Sequence, residues 1–133
     1  MKGDVMTMKP LFKGIDHIQI AAPPGSEEQA RAFYGMLLGM QEIEKPENLK
    51  ARGGCWFQCG AQEVHIGIQP DFVPAKKAHP GFTVDSLIVL KRQLEDAGYL
   101  ISEEPPIAGR ARFFTHDPFG NRIEFLEYVK PSC

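Results

Sequence analysis

The chain has little of what marks most specialised protein classes. No apolar run approaches the ~20 residues of a membrane span. Met1 to Lys13 is interrupted by Lys2, Asp4, Lys9 and Pro10, so it holds no signal-peptide core and the expected location is cytoplasmic. Neither charge dominates: 15 Lys and Arg stand against 17 Asp and Glu, a net of -2, scattered along the chain. That scatter leaves no basic stripe to track a phosphate backbone, which argues against a nucleic-acid partner. Cysteine is scarce, with 3 in all, and Cys55 and Cys59 lie in one expected strand, where four residues span roughly 13 Å. Cysteines that far apart cannot pair, so packed free thiols are expected rather than a disulfide or metal framework.

What is present suits one globular domain. A chain of 133 residues can bury roughly two-thirds of its unfolded surface, and a single domain over 1–133 is expected. Within it, residues 14–69 and 78–129 read alike, as strand, helix and three strands, with 70–77 as linker. In the first copy Gly14 to Ala22 alternates as a strand, Pro23-Pro24-Gly25 turns, and Ser26 caps a helix with Ala30, Phe33, Tyr34, Leu37 and Leu38 on its buried stripe and Gly39 at its end. Strands are expected near Met40 to Glu44, Cys55 to Cys59 and Glu63 to Gln69. In the second copy His79 to Val84 reads as a strand, and Asp85 or Ser86 caps a helix with Leu87, Leu90 and Leu94 inward. Strands near Tyr99 to Ser102, Ala111 to His116 and Arg122 to Tyr128 follow, the last two joined by the turn Asp117-Pro118-Phe119-Gly120-Asn121. The tail after Val129 is expected to be loose.

Strand alternation sorts these residues into faces. Ile18 and Ile20 take one face of the first strand and leave His17 and Gln19 on the other. Val64, Ile66 and Ile68 oppose His65, Gly67 and Gln69. Pro80, Phe82 and Val84 oppose His79, Gly81 and Thr83, and Ile123 and Phe125 oppose Arg122, Glu124 and Leu126. The less greasy face would line a polar cup. His17 and His79 hold one place in the repeat; His65 and Glu124 hold another. Taken singly, each could be a structural histidine or a solvated carboxylate. Their repetition predicts instead that all four converge on one divalent metal, as a mixed nitrogen and oxygen set suited to Zn²⁺, Ni²⁺, Fe²⁺, Mn²⁺ or Co²⁺. Gln19, Trp56, Phe57, Gln69, Arg112 and Phe114 are expected in the pocket wall, although Trp56 and Phe57 cannot both face inward from a regular strand. Arg110 and Arg112 are candidates to hold an anionic substrate.

Asp16-His17-Ile18, Ala32-Phe33-Tyr34 through Leu38-Gly39-Met40, Ala78-His79-Pro80 and Asp117-Pro118-Phe119-Gly120-Asn121-Arg122-Ile123-Glu124 make the chain resemble the vicinal oxygen chelate superfamily of glyoxalases, bleomycin-resistance proteins and extradiol dioxygenases. The resemblance spans nearly the whole chain. It implies an α+β fold in which two βαβββ modules in tandem form a curved, half-open mixed β-barrel with helices outside, and it implies a homodimer. It also implies a metal at His17, His65, His79 and Glu124 that binds vicinal oxygens of a small substrate. One departure stands out: glyoxalase I proteins generally carry a carboxylate or carboxamide where this chain has His65.

The expected function is that of a metal-dependent, glyoxalase-like lyase or isomerase acting on a substrate such as an α-oxoaldehyde adduct, with Glu124 shuttling a proton between adjacent carbons. Rival readings are an extradiol-type dioxygenase, in which His65 is a surplus ligand, a fosfomycin-type thiol transferase, and a non-catalytic antibiotic-binding protein.

Overall fold

The computed structural model describes residues 8–129, and the expected loose tail after Val129 lies outside them. The chain runs β1 (His17–Ala22), α1 (Glu27–Ala30), a π-helical continuation (Arg31–Leu37), β2 (Gln41–Ile43), a 3-10 segment (Glu47–Arg52), β3 (Cys55–Cys59), β4 (Gln62–Ile68), β5 (Gly81–Thr83), α2 (Leu87–Asp96), β6 (Ser102–Ile107), β7 (Arg110–His116) and β8 (Arg122–Tyr128).

The strands form two four-stranded mixed sheets, ordered β1-β4-β3-β2 and β5-β8-β7-β6. Each sheet pairs the first and last strands of its unit in parallel and the rest antiparallel. The two halves therefore share one topology, a βαβββ unit repeated, and among the described residues the sheets form no closed barrel. This is the α+β duplication expected from the sequence.

The core gathers the apolar face of both sheets under the helical segments. Ala22, Ala30, Phe33, Tyr34, Phe57, Val64, Ile66, Leu94, Ile123 and Phe125 are all buried in one cluster. Full burial of each large apolar side chain contributes roughly 1.5–3 kcal/mol. A tilted contact of Phe33 with Tyr99, 5.0 Å between ring centres, ties the two halves at their middle.

Several boundaries differ from expectation for identifiable reasons. The first helix begins at Ser26, but its hydroxyl makes no capping bond and is buried without a partner. After one turn it widens, so that Leu38 N–H donates to the Phe33 carbonyl. Of the expected stripe, Ala30, Phe33 and Tyr34 are buried and Leu37 and Leu38 half-buried. The second helix is capped by Ser86, whose Oγ accepts from Val89 N–H. The strand expected at Tyr99 to Ser102 lies instead at Ser102–Ile107 and includes Pro105 and Pro106. It is an edge strand, where missing N–H donors cost no ladder bond. The strand expected from His79 is shortened to β5 because Pro80 cannot donate; its carbonyl still accepts from Glu124 N–H at 3.0 Å.

The 3-10 segment carries no clear pattern in the sequence. It ends on Gly53 and Gly54, and at Gly54 (φ 83°) an added Cβ would stand 2.0 Å from the Ile66 carbonyl oxygen. Only glycine allows the segment to come this close to β4.

Candidate functional site

β1 and β4 run side by side with His17 opposite Glu63 and Gln19 opposite His65. Trp56 of β3 is opposite His65 on the other side. Residues in register share a face, so all five side chains belong to the open face of the first sheet. The His65 ring lies between two others: Trp56 stacks on it at 3.7 Å with the planes 1° apart, and His17 at 4.1 Å. The stack leaves the His65 side chain 6% exposed.

The second sheet repeats the arrangement with different residues. Gly81 is opposite Glu124, and Phe114 occupies the place of Trp56. His79 Nε2 lies 3.1 Å from Glu124 Oε1, while Arg112 Nη1 donates to the other carboxylate oxygen at 3.1 Å. The Arg112 Nε donates to the Pro105 carbonyl, which fixes the guanidinium. Phe114 meets the edge of His79 and lies under the guanidinium of Arg122, 4.0 Å from its centre.

Each imidazole has at least one nitrogen facing an acceptor, and His79 has both, since its Nε2 also faces Glu124. His17 Nδ1 faces the Asp16 carboxylate at 2.9 Å, His65 Nε2 faces Glu63 Oε1 at 2.9 Å, and His79 Nδ1 faces the Lys77 carbonyl at 2.9 Å. At His17 and His65 the single acceptor places the proton on the tied nitrogen and the lone pair on the other, whereas at His79 both nitrogens face oxygens. The lone pairs on His17 Nε2 and His65 Nδ1, the His79 imidazole and the Glu124 carboxylate are the donors a cation would find. In donor chemistry the four residues fit a divalent transition metal.

Within one chain they come together as two pairs, His17 with His65 and His79 with Glu124. Among the described residues no group of three or more His, Cys, Asp or Glu side chains is gathered closely enough to hold a metal ion. Of the expected pocket residues, Gln19 and Trp56 line a cavity of about 270 Å³ on the first open face. Gln69 lines, with Gln19 and His79, a cavity of about 390 Å³ beside the linker. Arg112 and Phe114 adjoin Glu124. Phe57 is a correction: it is fully buried in the core, because β3 alternates regularly and Trp56 takes the open side.

Sequence reasoning missed Glu63, which the same alternation places two residues before His65 on the same face. It also missed Asp16 and the Lys77 carbonyl, since orienting contacts have no spacing rule. Arg110 sits over Tyr128 at 5.7 Å, whereas Arg112 is committed to Glu124. Cys55 is buried, and burial pushes its thiol up to about 11, as suits a packed thiol. No helix among the described residues is long and apolar enough to cross a membrane.

Residues 14–125 match the model of the Glyoxalase/Bleomycin resistance protein/Dioxygenase superfamily. The chain is 53% identical to a glyoxalase family protein from Bacillus anthracis of known crystal structure, covering 91% of this chain and 99% of that one, with a TM-score of 0.86. It is 30% identical to Glyoxylase I 4 of Arabidopsis thaliana over 122 residues, 83% of this chain and 68% of that protein. A lactoylglutathione lyase from Agrobacterium tumefaciens shares the fold, with a TM-score of 0.68 at 19% identity over 88% of this chain and 95% of that one.

Proposed function

As the chain belongs to the Glyoxalase/Bleomycin resistance protein/Dioxygenase superfamily, we propose that it is a metal-dependent, glyoxalase-like lyase or isomerase whose site is completed by a second copy of the chain. The observation that carries this reading is the pair of matching half-sites. His17 with His65 and His79 with Glu124 occupy equivalent places in the two sheets, and each pair offers two donors.

Two donors do not make a metal site, whereas four complete one. A two-fold dimer that sets the first half of one chain against the second half of its partner brings both pairs together twice. The segment leading into β1 supports such an assembly, since Leu11 and Phe12 are 86% and 88% exposed beside it and apolar side chains so displayed favour burial against a partner. The cytoplasmic placement rests on the sequence alone.

Bound there, a divalent metal would polarise a carbonyl or enediol oxygen of a substrate with vicinal oxygens. The chain's own residues do the rest. Arg112 holds one oxygen of Glu124 and turns the carboxylate into the cup. Glu124, 10% exposed, takes a proton from one carbon and returns it to the neighbouring one. Trp56 and Phe114 cover the two half-sites with aromatic rings and limit access of water.

The test is metal analysis of protein purified without chelator, together with turnover of the methylglyoxal–glutathione hemithioacetal. One metal per chain and a loss of about 100-fold or more in kcat for Glu124→Gln are expected. A metal-loaded protein inert toward every α-oxoaldehyde adduct would sink the reading.

A further inference from the structure

The open face of the first sheet carries a second feature beside its histidine pair. The 3-10 segment and the residues before it border an open cavity of about 270 Å³, lined by Gln19, Lys45, Leu49, Arg52, Trp56 and Gly67, among others. No acidic residue lines it, so its two charges are both positive.

Two of the surrounding carboxylates are engaged elsewhere, and a third, Glu27, lies behind Gly53 and partly offsets the charge of Lys45, which leaves Arg52 as the freer cation. Glu44 and Glu47 both pair with Lys50, at 2.7 and 2.9 Å, and Glu27 accepts from Gly54 N–H at 2.8 Å. Lys45 donates to the Gly53 carbonyl, which holds its ammonium at the rim. The Gln19 side chain lies across Gly67, where a Cβ would stand 2.5 Å from its Nε2, so the absence of a side chain at 67 lets the carboxamide lie across the cavity floor. The cavity also adjoins the half-site, because Trp56 lines it and is stacked on His65, and Gln19 is the β1 partner of His65.

We propose that this cavity is a binding site for the anionic end of the substrate, a carboxylate or a group of like charge held by Lys45 and Arg52 with the Gln19 amide beneath. The substrate would then be a small molecule with vicinal oxygens at one end and a negative charge at the other. That assignment of substrate class rests on the function proposed above; the anion site itself does not. Its size suits a group of a few heavy atoms, and its charge disfavours a neutral or cationic one. Arg52 is the discriminating residue, since its guanidinium can grip a planar carboxylate with two parallel hydrogen bonds.

Trp56 is the single tryptophan of the chain, so its fluorescence reports on this cavity directly. Metal-free full-length protein is titrated with succinate and with succinamide, which matches it in size but carries no charge. Succinate is expected to change Trp56 emission saturably and succinamide to leave it unchanged. Arg52→Gln and Lys45→Gln are each expected to weaken the succinate response about five-fold, as for a partly exposed charge pair. Arg92→Gln, at an exposed position on α2 away from the cavity, is expected to keep it. Circular dichroism and thermal melts of each variant separate loss of binding from loss of fold, and Arg52→Glu, at an exposed position, tests charge without removing bulk. A response equal for the two ligands, absent for succinate, or unmoved by Arg52→Glu would overturn the proposal. Since no metal is present in the assay, these outcomes leave the metal reading untouched, and failure of metal binding leaves the anion site untouched.

Discussion

The hydroxyl of Tyr34 donates to Asp117 Oδ2 at 2.7 Å, joining the first helical segment to the β7–β8 turn across 83 residues of chain. Asp117 spends its remaining capacity inside that turn, accepting from Phe119 N–H, Asn121 N–H and the Asn121 carboxamide. Asn121 donates in addition to the Ala21 carbonyl of β1. The turn that launches β8, and hence Glu124, is thus anchored to two elements of the first half, the first helical segment and β1.

Tyr34→Phe is accordingly expected to cost about 1–3 kcal/mol, because the ring still fills its place while a buried carboxylate loses a donor. Urea unfolding checks this. An unchanged midpoint would mean that the turn is held by its internal bonds alone.

Glu63 is expected to act on the metal through His65. Glu63→Ala should weaken zinc affinity tenfold or more, and Glu63→Gln, which keeps an acceptor, should restore much of it. Long-range ¹H–¹⁵N spectra of the metal-free protein should show His65 protonated on Nε2. Finding the proton on Nδ1, with affinity unaltered in Glu63→Ala, would remove Glu63 from this role.

Complementation tests the shared site. His17→Ala/His65→Ala and Glu124→Gln are each expected to be inactive alone. Mixed and allowed to exchange subunits, they should recover activity, because one of the two sites in the mixed dimer then takes both its halves from unmutated segments. No recovery, with exchange verified by mass, would place all four ligands in one chain.

The Cys55 thiol is expected to resist alkylation in the native state near neutral pH and to react on unfolding. Burial raises its pKa from 9.0 to about 11, so between those values the unfolded chain releases a proton that the folded chain keeps. Stability should therefore fall as pH rises from about 9 toward 11, and the Cys55→Ala variant should lose less over that interval. Tyr34, raised by burial and by the neighbouring Asp117 carboxylate, pushes in the same direction at the upper end. Equal pH slopes for the two proteins would contradict the assignment to Cys55.

Much of this architecture was legible because β-strands alternate. Ile18 and Ile20 against His17, Val64 and Ile66 against His65, and Ile123 and Phe125 against Glu124 separate two faces, and the unbroken pairing of β1, β4 and β8 keeps that alternation even though His65 and Glu124 are themselves buried. Alternation also settles that Trp56 is open and Phe57 buried, once β3 is known to be regular. What alternation cannot supply is the distance between two sheets, so convergence of four ligands was expected where the chain presents two pairs. Edge strands were the other weak point: Pro105 and Pro106 argue against a strand unless the position at the sheet's edge is already known. The basic cavity was hidden for a similar reason, since Lys45 and Arg52 reach it only through a 3-10 segment that has no periodicity of its own.

The two half-sites rest on parallel pairing, and this has a thermodynamic corollary. His79 and Glu124 stand 45 residues apart in the chain and become neighbours only when β5 and β8 join across an entire helix and two strands. An unfolded polypeptide offers such donors singly, at the weak affinity of isolated side chains. Any cation gripped by the assembled pairs is therefore gripped by native protein alone, and its binding energy passes into resistance to heat and denaturant.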